Sequence, residues 1–150
     1  MNSNAVWDEL QSEIRAWMSQ RGWGDQVYLT EGPNEAVTAP YAVQIIPRGD
    51  AAMHPKSGAA LVEVTIDIVV WWRNLLDPVA QASIRIGGDD GVEQFVEGLR
   101  ILLNGNRLNN TLTIPMVWRN GGTVEAVSEL EGWMRATETF GCAYAPEWGY

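Results

Sequence analysis

The residues able to do chemistry are few, and their spacing keeps them apart. His54 is the only histidine, so a two-histidine metal site is excluded. It lies in a polar stretch beside Pro55 and Lys56, where an exposed side chain is expected rather than a catalytic base. Cys142, the only cysteine, would need a basic partner to act as a nucleophile, and His54 is far away in the chain. It falls among apolar alternating residues and reads as core. Asp89 and Asp90 stand just before a helical pattern and suit a cap better than a metal site. Glu63 and Asp67 share one face of a strand and could pair as general acid and base, with no third polar partner evident. An enzyme would need perturbed acidity at Glu63, Asp67 or Glu138, which nothing in the spacing favours. Alternating carboxylates on a solvated face are the plainer reading. Gly87-Gly88 and Gly121-Gly122 match neither a dinucleotide fingerprint nor a phosphate loop. The expectation is a protein that is not an enzyme and needs no cofactor or metal.

The composition points to surfaces instead. The chain has 150 residues, the size of one domain with one core. Ten basic residues against 19 acidic ones leave a formal charge of −9, which argues against nucleic-acid binding as a main task. Lys56 is the only lysine among the ten basic residues, and there are eight tryptophans. Each buried indole needs a partner for its N–H, so a core this small does not easily take all eight. Tryptophan and arginine are enriched at protein interfaces, and lysine is depleted there. A bias in nucleotide composition would supply the arginines equally well, the tryptophans less so. No apolar run approaches the ~20 residues of a membrane span, and a lone cysteine suits a reducing cytoplasm.

The elements follow from periodicity. Residues 4–20 form an amphipathic helix with Val6, Leu10, Ile14 and Trp17 on one face, stopped by Gly22 and Gly24. Short strands are expected at 26–30 and 41–47. Residues 48–59 are small, polar and broken by Gly49, Pro55 and Gly58, which predicts a loop. Residues 61–73 are the clearest strand: even positions from Val62 to Trp72 are apolar, and the polar face turns apolar at Val69 and Trp71. One end is therefore apolar on both sides and must be covered by this chain or by a neighbour. Asp77-Pro78 can start a short helix, and Asp90 caps a stronger one carrying Phe95, Leu99, Leu102 and Leu103, ended by Asn104-Gly105. A strand at 112–119 is expected to stop at Asn120-Gly121-Gly122, with 124–131 helical or irregular, and a last strand occupies 133–145. This order predicts an α+β domain spanning 1–150: a mixed, mainly antiparallel sheet of four to five strands with helices packed on one face.

The succession of a long strand ending in Trp71-Trp72-Arg73, a helix ending in Leu102-Leu103-Asn104-Gly105, a strand with Trp118-Arg119 and a final long strand resembles the tail terminator, or tail completion, proteins of long-tailed phages. The likeness rests on element order and size, without a signature motif. It implies a structural virion protein at the neck, made in the host bacterial cytoplasm. Such proteins form a homo-oligomeric, six-fold ring on the head-proximal end of the tail tube. The implied partners are further copies, the tail tube protein and the head connector or adaptor proteins, with DNA only passing through the lumen. The candidate contacts are the loop residues Arg48, Asp50, Met53, His54 and Lys56, then Trp71, Trp72, Arg73, Trp118, Arg119 and Trp148. Another neck component, such as a head-closure or adaptor protein, and a small α+β ligand-binding module with a tryptophan-lined pocket are the alternatives.

Overall fold

The computed structural model describes residues 3–30, 41–53, 61–73, 92–126 and 133–146. Helix α1 spans Ser3–Gln20. Val6, Leu10, Ile14 and Met18, one turn apart, are all fully buried. Its end is a Schellman motif: Trp23 N–H bonds Met18 O, Gly22 N–H bonds Ser19 O, and Gly22 takes φ +73°. Helix α2 spans Val92–Leu103 and buries Phe95, Leu99 and Leu103. Gly105, at φ +83°, turns the chain after it.

Five strands form one sheet: β1 (Val27–Leu29), β2 (Tyr41–Met53), β3 (Leu61–Arg73), β4 (Ile114–Ala126) and β5 (Trp133–Tyr144). Their order is β1-β2-β3-β5-β4, with β1 parallel to β2 and every other pair antiparallel. The protein is thus the expected α+β fold, with a mixed, mainly antiparallel sheet. Even positions of β3 from Val62 to Trp72 join residues of both helices in one core, so α1 and α2 share one face of the sheet. Trp17, Trp23, Tyr41 and Phe95 lock the helices to the sheet, with Tyr41 and Phe95 stacked at 4.5 Å between ring centroids.

Two expectations are corrected. The loop predicted over 48–59 is strand as far as Met53, because β2 continues there alongside β3, and the rest of that stretch lies outside the described residues. Pro47 has no N–H for the ladder, and the register shifts between Pro47 and Asp50, so the strand absorbs the irregularity as a bulge. The turn predicted at Asn120-Gly121-Gly122 is likewise strand: β4 runs on to Ala126 through three register shifts against β5. The short helix at Asp77-Pro78 and the caps at Asp89 and Asp90 lie outside the described residues.

Two positions test this packing. A Cβ on Gly98 would stand 2.8 Å from the Trp17 ring, which already makes T-shaped contacts with Trp23 and Phe95. Gly to Ala in a helix ordinarily gains ~1 kcal/mol, whereas overpacking costs about 1–3 kcal/mol. Gly98→Ala is therefore expected to lower the urea midpoint rather than raise it. Burial raises the Glu13 carboxyl above its ordinary 4.5, opposed by the hydrogen bond from Asn106 and reinforced by Glu9. Its Oε1 accepts from Asn106 at 2.8 Å, while Oε2 is buried without a hydrogen bond. The folded chain thus holds this proton more tightly than the unfolded one, a stabilisation complete below pH 4.5 and lost as pH rises through the folded value. Glu13→Gln should unfold at higher urea than the parent at pH 7, with the difference shrinking as pH falls towards 4.5.

Candidate subunit interface

Odd positions of β3 point away from the helices. There Asp67 is 4% exposed and sits between Ile46 of β2 and Thr139 of β5. Its carboxylate accepts from Arg48 Nε at 2.5 Å and Thr139 Oγ1 at 2.8 Å, so a buried charge is both paired and hydrogen-bonded. Two residues on, Val69 lies beside Gln44 and Thr137; after it Trp71 lies beside Ala42 and Arg135. Trp71 Nε1 donates to Gln44 Oε1 at 3.0 Å, and Gln44 Nε2 donates to Thr30 O at 2.8 Å. The Arg135 guanidinium stands 5.5 Å from the Trp71 ring. These side chains, with Ile46, line an open cleft of about 440 Å³. Glu63 and Asp67 do not share a site. Four residue steps along the strand separate them by roughly 13 Å, and Glu63 is exposed while Asp67 is committed to Arg48.

A second charged cluster lies on the opposite face of the sheet. Glu138 of β5 interrupts the core-facing series Ala136, Phe140, Cys142 and is fully buried beside Ile68. Arg100 of α2 donates to its Oε1 at 2.6 Å and Trp118 Nε1 to its Oε2 at 2.7 Å. The Arg100 guanidinium also lies 4.7 Å over the Trp118 ring. Gly121, opposite Glu138, makes room for the carboxylate: a Cβ there would fall 1.7 Å from Oε2. One carboxylate thereby ties α2, β4 and β5 together. Cys142, 3% exposed, lies in the core as read from the sequence.

Of the residues singled out in the sequence, Arg48 and Trp71 meet at the cleft. Arg119 lies on the same face, folded over Gly141, where a Cβ would meet its Nε at 2.8 Å. Trp118 stands at the β4 edge, 38% exposed. Trp72, 2% exposed, belongs to the core beneath the helices and has little surface left for a partner. Asp50 and Met53 are placed by backbone pairing with Val64 and Leu61, and Arg73 by pairing with Trp133. His54, Lys56 and Trp148 lie outside the described residues. Sequence reasoning did not find Gln44, Arg100 and Arg135 as partners. For Glu138 a signal existed, since it breaks the apolar parity of its strand. Among the described residues no group of three or more His, Cys, Asp or Glu could hold a metal ion, and no helix is long and apolar enough to cross a membrane.

The fold recurs in a virion. A protein from the virion of a native gene transfer agent particle superposes with a TM-score of 0.57 at 14% identity, over 93% of this chain and 91% of its own. A second solved protein superposes equally well, at 10% identity over 99% of this chain and 98% of that one. At such identities the likeness is one of fold, and it spans both chains nearly end to end. No family model matches the sequence, and no curated protein does.

The Glu138 cluster should behave as one unit. Glu138→Ala removes the carboxylate that holds Arg100 and Trp118 Nε1 together and is expected to destabilise the fold. The loss is smaller than for a fully buried pair, because the Arg100 side chain is 36% exposed and water can reach it. Gly121→Ala displaces the same carboxylate, so the double variant should be much less destabilised in chemical denaturation than the sum of the singles.

Proposed function

We propose that this chain is a structural virion protein of the tail terminator kind, forming a ring at the head-proximal end of a phage-type tail tube. The observation that carries this reading is the correspondence with a gene transfer agent virion protein over 93% of this chain and 91% of the other. The order of elements in the sequence pointed the same way. A ring of identical subunits needs two different patches per subunit, and closure of the ring is what prevents open-ended growth. In this role the protein ends tube polymerisation and presents a joining surface to the head connector or adaptor. The negative net charge of −9 suits a lumen through which DNA slides without adhering. Another neck component, a head-closure or adaptor protein, would use a ring in the same way.

The cleft at Trp71 supports a second reading as a small ligand-binding module. Its volume of about 440 Å³ lies within the range of small-molecule sites. Its lining combines the Trp71 indole, the Gln44 amide, the Arg135 guanidinium and the Arg48–Asp67 ion pair.

Negative-stain microscopy and native mass spectrometry of the purified chain, alone and mixed with tail tubes, separate these readings. Closed rings, free or capping one end of each tube, are the expected result. Rings on filled heads would move the assignment to another neck component. A monomer or tight dimer indifferent to tubes, whose tryptophan fluorescence responds to aromatic carboxylates, would replace the proposal with the ligand-binding module.

A further inference from the structure

Helix α1, the end of α2, the turn that follows it and β4 meet at Asn106. Its backbone N–H bonds Leu103 O at 3.0 Å, and its carbonyl accepts from Met116 N–H at 3.0 Å. Its side-chain amide joins the rest. Nδ2 donates to Glu13 Oε1 at 2.8 Å and to Leu102 O at 3.1 Å, and Oδ1 accepts from Leu108 N–H at 2.7 Å. Reversing the amide would set its NH2 group against Leu108 N–H, so one orientation serves all three bonds.

The bond to Leu108 holds an uncommon backbone. Leu108, Asn109 and Asn110 take φ of +49°, +54° and +64°, a left-handed run that asparagine tolerates and leucine rarely adopts. The run is fixed by the fully buried Leu108 side chain, by Asn106 Oδ1 and by Thr111 N–H on Leu108 O at 3.1 Å. Strain of this kind persists only where the surroundings over-determine it. Glu13 belongs to those surroundings, because it orients the amide that holds the run.

Glu13 also brings an unsettled charge. Its Oε2 is buried without a hydrogen bond, and Glu9, one turn earlier on α1, offers a second carboxyl within hydrogen-bonding reach. Two carboxylates so placed repel each other, and the bare buried oxygen adds a desolvation cost. One proton answers both problems: on Oε2 it donates to Glu9, while Oε1 keeps its bond from Asn106. Burial raises the Glu13 carboxyl most, the Asn106 bond opposes this, and Glu9 raises it further. Glu9 is the one charged group that acts on it among the described residues. The neighbouring arginines are engaged elsewhere, Arg15 of α1 with Val27 O, Arg100 of α2 with Glu138 and Arg107 of the turn with Thr113 O.

We infer that Glu9 and Glu13 share one proton, and that this proton is a latch closing α1 onto the Asn106 turn in acid. With it, the pair carries a single charge, and both the left-handed run and the Met116 bond of β4 are held. When it passes to solvent, the pair carries two charges that repel at a half-buried contact, and the turn loosens before the rest of the fold. Because the folded value lies above the unfolded one, the latch is closed at low pH and opens as pH rises through the folded value. It is complete within one chain and does not depend on what the protein assembles with.

Carbon-detected NMR of the labelled full chain follows both carboxyls through pH. Glu13 should titrate above 4.5, and Glu9→Gln should bring its midpoint down. Amide hydrogen exchange, corrected for the intrinsic effect of pH, reads the latch itself. From about pH 7 to about pH 5, protection at Leu108 and Met116 should rise roughly threefold relative to the β3 amides. Glu13→Gln, neutral at every pH and of the same shape, should keep both amides protected with no such rise. Glu13 titrating at 4.5 or below, or unmoved by Glu9→Gln, overturns the shared proton. A parent without the rise, or a rise that Glu13→Gln retains or the β3 amides share in full, overturns the latch.

Discussion

A strand that is apolar on every core-facing residue from Val62 to Trp72 can satisfy its backbone and its side chains only in the middle of a covered sheet. β3 meets that demand with β2 on one side, β5 on the other and both helices on one face. The remaining elements take their places from it. The aromatic group of Trp17, Trp23, Tyr41 and Phe95 fills the space where α1 and α2 converge over the sheet. Gly98 exists to let the Trp17 ring lie against α2.

The same strand shows how the two faces are put to different uses. The helix-covered face is apolar except for Glu138, which spends its charge on Arg100 and Trp118 and so fixes the end of the sheet against α2. A buried ion pair of this kind is weak as a source of stability, because desolvation offsets the attraction. Its value lies in orientation, since few other placements of α2 satisfy the carboxylate. The opposite face carries Asp67 and Gln44 beside a small buried apolar cluster of Ala42, Val69 and Trp71, with an open cleft among them.

The outer edge of β4 is bonded where it passes the turn after α2: Met116 and Trp118 pair with Asn106, Gly105 and Asn104, which keeps this stretch from recruiting stray strands. Trp118 and Arg119 stay exposed beside it.

The amphipathic helices, the central strand and the α+β class were legible in the sequence, because each depends on a period within a few residues of itself. Val6, Leu10, Ile14 and Met18 announce α1, and the alternation from Val62 to Trp72 announces β3. The ends of β2 and β4 were not legible. Pro47, Gly49 and Gly121 carry local turn signals, yet the neighbouring strands supply enough ladder bonds to carry both chains past them. The fates of Trp71 and Trp72 also needed the tertiary structure. Alternation places them on opposite faces and marks the Trp72 side as apolar throughout, but only the folded chain shows that Trp71 is buried in a separate small cluster with Ala42 and Val69. Arg100 and Glu138 are 38 residues apart, and nothing in either local sequence names the other. The sequence by itself determined which segments fold and which of their sides are apolar. Tertiary structure decided where strands stop and which charges meet, because pairing energy between distant segments outweighs local preference.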